Sequence, residues 1–198
     1  MEISMALNGR TKGDMQIPKS VSVLFVCLGN ICRSPMAEGV FREITHFGTA
    51  DQHPLIADID SCGTGAYHAG DYSDSRTMSV LKDNGITDYR HKARKVKVPE
   101  DFGRFDYLLA MDEENLIDLR DLVKRAAKRG LLDGKEAAKK VCLFGEFGGK
   151  AKDEEIGDPY YGGQGGFVTA YEQVTRLGHG LLKHIELEAA RELGSTAA

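Results

Sequence analysis

Residues 21–35 read VSVLFVCLGNICRSP, and this stretch decides the fold. Val21–Val26 is β-branched and aromatic and almost wholly apolar. Such a run suits a strand covered on both faces, as in a parallel sheet. Residues 27–34 then supply two cysteines, a glycine, an asparagine, an arginine and a serine. Pro35 opens a helical pattern, since proline fits a first helical turn, and Met36, Val40, Phe41 and Ile44 give it an apolar stripe. Strand, tight loop and helix form the opening unit of an α/β protein. Ligands in such folds sit at the carboxyl ends of strands, so the loop after the first strand is the first place to look.

Working outward, Leu55–Ile59 reads as a second strand. Asp74–Asn84 reads as a helix with Met78 and Leu81 inward, stopped by Gly85. Ala93–Val98 reads as a short strand and Phe105–Met111 as a strong central one. Asp112 is placed to cap a helix, with Glu113 and Glu114 in its first turn. Val141–Phe144 is the last predicted strand. A glycine-rich loop over 145–166 precedes a closing helix from Phe167 to about Arg191, whose Val174, Leu177, Leu181 and Ile185 keep helical spacing. This alternation predicts an α/β three-layer sandwich, with a central, mostly parallel four-stranded sheet flanked by helices.

The 198 residues are 41% apolar and 28% charged, which excludes wholesale disorder and suits one domain. We expect a flexible extension over 1–20, a domain over 21–192 and a disordered tail over 193–198. No apolar run approaches the length of a membrane span, and the first twenty residues lack a signal-peptide core, so a cytoplasmic location is expected. A net charge of −4 argues against a dedicated nucleic-acid binder. Residues 120–140 carry eight Lys or Arg against three acids and read as a solvated helix face in preference to a docking patch. The four cysteines, Cys27, Cys32, Cys62 and Cys142, are expected to be reduced, with Cys62 and Cys142 as buried bystanders. No cluster has metal-ligand spacing, so neither metal nor cofactor is expected.

The loop carries chemistry. Cys27, five intervening residues, Arg33 and Ser34 lie between a buried strand and a helix start. Backbone N–H groups of such a loop and helix terminus converge on an anion. Gly29 is expected to permit the turn, and the Arg33 fork binds two oxygens of a phosphate-like group. The same field favours the thiolate of Cys27, to which Ser34 can donate. A cysteine ending a buried strand is often only a small core residue. The combination of Gly, Asn, Arg and Ser around this one selects the nucleophile instead.

Residues 26–35 resemble the signature loop of the low-molecular-weight protein tyrosine phosphatases. The resemblance extends to DSCGT (60–64), HKARK (91–95), FDYLLAMD (105–112) and DPYY (158–161), in family order, across roughly residues 21–190. It implies hydrolysis of phosphotyrosine through a phosphocysteine on Cys27. Arg33 and the backbone of Leu28, Gly29, Asn30, Ile31 and Cys32 would hold the phosphate. Asp158 would protonate the departing phenol and then activate water. By the same resemblance, Asn30, Ser34, Ser61 and His91 form a supporting hydrogen-bond network. Tyr67, Tyr160 and Tyr161 wall a cleft deep enough to select a long, flat phosphotyrosine. Cys32 is the redox partner of Cys27, and Tyr160 and Tyr161 match positions that family members can phosphorylate. The implied partners are a phosphotyrosine-containing protein and, as inhibitors, inorganic phosphate or similar oxyanions.

Three departures stand out: SCGT where members often have SAGT, a long segment over Lys124–Lys140, and the extension before Ser20. Three other readings compete. Arsenate reductase shares the fold but needs distal resolving cysteines, and residues 63–141 contain none. Arginine phosphatases of the family carry Thr where this chain has Ile31. A non-catalytic phosphotyrosine-binding module would not need every catalytic position, and all are present.

Overall fold

The computed structural model describes residues 18–195 apart from Lys152. Residues 1–17 of the expected extension and 196–198 of the expected tail lie outside the described residues. The elements are β1 (Val21–Cys27), α1 (Arg33–Ile44), β2 (Ile56–Gly63), α2 (Ser75–Asp83), α3 (Glu100–Arg104), β3 (Tyr107–Ala110), α4 (Glu113–Lys128), α5 (Gly134–Lys139), β4 (Val141–Leu143) and α6 (Gln164–Ser195). The four strands form one sheet in the order β2-β1-β3-β4, and every pairing is parallel.

Alternation along β1 divides the core in two. Val23, Phe25 and Cys27 pack with residues of α1 and α6, while Leu24 and Val26 pack with residues of α3, α4 and α5. The result is the expected three-layer sandwich. Phe25 is the keystone of the first layer, with the rings of Phe41 and Phe144 edge-on at 5.7 and 5.0 Å. Truncating such a buried phenylalanine costs about 3–5 kcal/mol. That is a large part of a typical domain stability of about 5–15 kcal/mol, so β1 is a rigid platform for the loop that follows it.

Four expectations need correction. Ala93–Val98 is not a strand. Its one sheet-like bridge among the described residues is Gly63–Lys95, while Lys92, just before the segment, bridges Tyr72. Its amides are used elsewhere: Ala93 N–H donates to Asp71 O, Arg94 N–H to Asn30 Oδ1 and Lys97 N–H to Asp101 Oδ2, each at 2.8 Å. The first helix starts at Arg33, two residues before Pro35, which still lies in the first turn as expected. The closing helix continues to Ser195, so 193–195 are helical rather than part of a tail. Two short helices, α3 and α5, were not expected. The second is capped by Asp133, whose Oδ1 accepts the Lys135 and Glu136 amides at 2.8 and 3.2 Å.

Candidate active site

Cys27 ends β1 and Arg33 begins α1, so the intervening turn must reverse the chain within five residues. The left-handed residue in that turn is Asn30, with φ of 58°, not Gly29. Asparagine tolerates this conformation better than most side chains. A Cβ at Gly29 would lie 3.1 Å from His68 Cδ2, so that ring would have to give by a few tenths of an ångström. Gly63, at the end of β2, is tighter still: a Cβ would sit 2.6 Å from the Leu28 carbonyl oxygen. In the SCGT stretch, Cys62 is buried in the second core, and Gly63 is the position without room for a side chain.

The Cys27 sulfur receives the Asn30 amide at 3.2 Å and lies 3.1 Å from Ser34 Oγ. Both are hydrogen-bonding groups of the kind that hold a sulfur nucleophile. Asn30 organises the rest. Its Nδ2 donates to Ser34 Oγ and to Ser61 Oγ, both at 2.9 Å. Its Oδ1 accepts from Arg94 N–H and lies 2.8 Å from His91 Nε2. Ser61 Oγ in turn donates to Glu38 Oε2 at 2.8 Å, where the Tyr89 hydroxyl also donates and His91 Nδ1 lies at 3.2 Å. The side chains of Asn30, Ser34 and Ser61 are fully buried. A fully satisfied buried network of this kind fixes one loop conformation.

Arg33 is also buried. Its Nη1 donates to Asp112 and, at 3.1 Å, to the Ile156 carbonyl, while Nη2 lies 3.3 Å from Asp158 Oδ2. Burial works against its charge, but the Cys27 sulfur and the Asp112 carboxylate outweigh that cost and raise its pKa. Asp112 therefore does two jobs. One oxygen caps α4 by accepting the Asn115 amide at 2.7 Å, and the other holds Arg33.

The loop bearing Asp158 is tethered at several points. Ile156 is buried and its amide donates to Met111 O at 2.8 Å. Arg76 Nη1 donates to the carbonyls of Tyr160 and Gly162 at 3.1 and 3.4 Å, and its guanidinium stacks over Phe167 at 4.4 Å. Asp74 holds Arg76 in turn, and this pairing keeps the Asp74 carboxyl below its ordinary range. Further back, Arg176 and Gln173 hold Glu154, which lowers its pKa to about 2.

These parts enclose a cleft of about 340 Å³ with Cys27, residues 28–32, Arg33, Asp158, Tyr67, Tyr160 and Tyr161 at its lining. Tyr67 and Tyr161 are strongly exposed, so they stand as open walls. Ser34, Ser61 and His91 sit behind the loop rather than in the cleft. Cys32 is buried, and burial first, then the nearby Asp74, raises its thiol to about 12. Burial raises Cys62 and Cys142 as well, although Cys142 is only partly covered. Glu38, Asp60 and His91 bring ligand-type atoms within 4.8 Å of one another. Asp60 is already paired with Arg94 at 2.9 Å and Glu38 accepts two hydroxyls, so protein donors satisfy these oxygens without a metal.

Five contributors escaped the sequence reading: His68 in the wall, Asp112 on Arg33, Glu38 and Tyr89 behind Ser61, and Arg76 under the loop that bears Asp158. Asp112 was hidden by its capping role. The other four occupy positions whose type has many ordinary surface or core uses.

A family model for low molecular weight phosphotyrosine protein phosphatase matches residues 22–191. A protein of that name from Schizosaccharomyces pombe is 46% identical over 168 residues, covering 84% of this chain and 98% of the relative. The Homo sapiens protein of the same name is 42% identical, covering 78% of this chain and 89% of its own. Among solved structures, a protein tyrosine phosphatase from Entamoeba histolytica with Hepes in its active site superposes with a TM-score of 0.70. It is 35% identical and covers 87% of this chain and 99% of its own. DARP, a drosophila arginine phosphatase, also superposes with a TM-score of 0.70, at 33% identity over 82% of this chain and 96% of its own. With a match that spans both the Cys27–Arg33 loop and the segment bearing Asp158, the chain belongs to the low molecular weight phosphotyrosine protein phosphatase family.

Proposed function

We propose that this chain hydrolyses phosphotyrosine in proteins by two in-line displacements at phosphorus. The Cys27 thiolate attacks, the P–O bond to the tyrosine breaks, and Asp158 gives its proton to the leaving phenolate oxygen. Asp158, now a carboxylate, takes a proton from water, which displaces Cys27 and releases inorganic phosphate. The loop amides and Arg33 hold the equatorial oxygens throughout, the largest contribution expected for such a transfer. An arriving phosphate takes over the Arg33 Nη2 donor now facing Asp158 at 3.3 Å and frees the acid for the leaving group.

The observation that carries this reading is the convergence of Cys27, Arg33 and Asp158 on one cleft with tyrosine walls. Inorganic phosphate and similar oxyanions should inhibit competitively, since they occupy the same donors. No helix among the described residues is long and apolar enough to cross a membrane. The likeness to an arginine phosphatase keeps a second substrate in play, and Ile31 argues against it. An apolar side chain in the loop offers no partner to a phosphoguanidinium.

Phosphate release from matched phosphotyrosine, phosphoarginine and phosphoserine peptides, in reductant and with Cys27→Ser as blank, tests this. Turnover of phosphotyrosine well above the others supports the proposal. Preference for phosphoarginine overturns the reading of Ile31, and turnover of none favours a binding module.

A further inference from the structure

The basic segment that the catalytic account leaves unused is the second half of α4, the turn after it and α5. Residues 120–140 carry a net +5, eight basic against three acidic, in a chain whose total is −4. The remaining residues therefore carry −9, so the molecule is electrically segregated. Of the eight cations, Lys124 and Lys139 pair with acids one turn away, at 3.0 and 2.6 Å. Lys140 is consumed inside the fold by the carbonyls of Phe102 and Phe105. Arg120, Arg125, Lys128, Arg129 and Lys135 are exposed and make no ion pair among the described residues.

The turn joining the two helices, residues 129–133, has a second character. Leu131 stands 42% exposed at its apex, just after the left-handed Gly130. Lys128, Arg129 and Lys135 flank it. The acids beside it are engaged, Asp133 capping α5 and Glu136 paired with Lys139, and an exposed leucine flanked by unpaired cations is the pattern of a surface that meets anionic headgroups while one side chain enters the boundary beneath them. A purely ionic partner, such as an acidic peptide or a nucleic acid, uses the cations and gives the leucine no role.

Orientation adds to the case. α4 starts beside Arg33 at the carboxyl end of β3, and its sixteen residues run back toward the opposite end of the sheet, where α5 feeds the start of β4. The phosphate-type loop follows the carboxyl end of β1 in the same parallel sheet. Contact through the α4–α5 turn leaves the cleft at the far end, open to protein substrates.

We propose that the α4–α5 turn is a docking site for an anionic lipid surface, with Lys128, Arg129 and Lys135 on the headgroups and Leu131 at the boundary. Each such cation contributes about fivefold to partitioning near a negatively charged bilayer. The test is flotation of the full chain with vesicles of phosphatidylcholine alone and of phosphatidylcholine with phosphatidylserine, at low and high salt. We expect binding to the phosphatidylserine vesicles only, weakened by salt. The triple variant Lys128→Gln, Arg129→Gln, Lys135→Gln should bind about a hundredfold less, and Leu131→Ser several-fold less. Hydrolysis of a soluble substrate should stay unchanged in both, which shows that they fold. No binding to phosphatidylserine vesicles, or binding indifferent to the triple variant, overturns the proposal. So does equally tight binding of a single-stranded oligonucleotide that Leu131→Ser leaves untouched, because that result marks a general polyanion site.

Discussion

At the scale of single residues, the account turns on Asp158 and on the two cysteines of the loop. A phenolate leaving group has a conjugate acid pKa near 10, so its departure gains from a proton. Asp158→Asn should slow hydrolysis of phenyl phosphate by about 10²–10⁴-fold, and slow an ester with a strongly acidic phenol far less. Steady-state rates on a series of aryl phosphates check this. An equal loss across the series removes Asp158 from the acid role. Cys32 gives a second prediction. Peroxide converts the Cys27 thiolate to a sulfenic acid and is itself reduced to water. Attack by Cys32 then forms the disulfide with loss of a second water. The attacking form is the thiolate, and burial raises Cys32 to about 12. Crosslinking should therefore accelerate about tenfold per pH unit through the alkaline range, as followed by mass spectrometry of the Cys27–Cys32 peptide. A rate that does not change with pH, or no crosslink in inactivated protein, contradicts it.

At the scale of elements, the strand–loop–helix unit was legible because its signals are local. The β-branched run of β1, the loop composition and the stripe on α1 each follow from sequence period or residue type. What stayed hidden was set by contacts distant in sequence. The segment 93–98 has strand composition, yet its amides serve Asn30 and Asp101, a use that no local pattern announces. Gly29 was the natural candidate for the left-handed position, but Asn30 takes it because its side chain is bonded at both ends. Glu38 lies on α1 as an ordinary helix residue and gains its role only when β2 delivers Ser61 to it. The close approach of Gly63 to Leu28 belongs here too. Gly63→Ala must push away the Leu28 carbonyl, 2.6 Å from the new Cβ, and the loop backbone with it. A displacement approaching 1 Å in a positioned site costs on the order of 10²-fold in rate. We expect kcat/KM on an aryl phosphate to drop by about that factor while the far-ultraviolet circular dichroism is kept. Wild-type activity in Gly63→Ala would show that the loop is not held by this contact.

At the scale of the whole molecule, the sheet fixes Cys27 and Arg33, while Asp158 arrives on a long connection from β4 to α6. That connection is held to α6 by Glu154, which Arg176 grips together with the Gly148 carbonyl at 2.7 Å. The Glu154 pKa is lowered from 4.5 to about 2, chiefly by the Arg176 hydrogen bond. A depressed carboxyl stabilises the fold fully above its unfolded value of 4.5, and the contribution fades as pH falls toward 2. Arg176 is partly exposed, so solvent screening limits the pair to on the order of 1 kcal/mol. Glu154→Gln should lower Tm by about 2–4 °C at neutral pH, and the gap to wild type should close as pH approaches 2. A gap that persists at low pH would assign the stabilisation to packing rather than charge.

The measurement that bears most directly on the account is rapid-quench trapping of the enzyme during turnover of an aryl phosphate, followed by peptide mapping. The account predicts a phosphate on the Cys27 sulfur, appearing before free phosphate and persisting longer in Asp158→Asn. Cys27→Ser should release no phosphate at all. Turnover with no phosphorylated Cys27, or phosphate carried on any other residue, would contradict it.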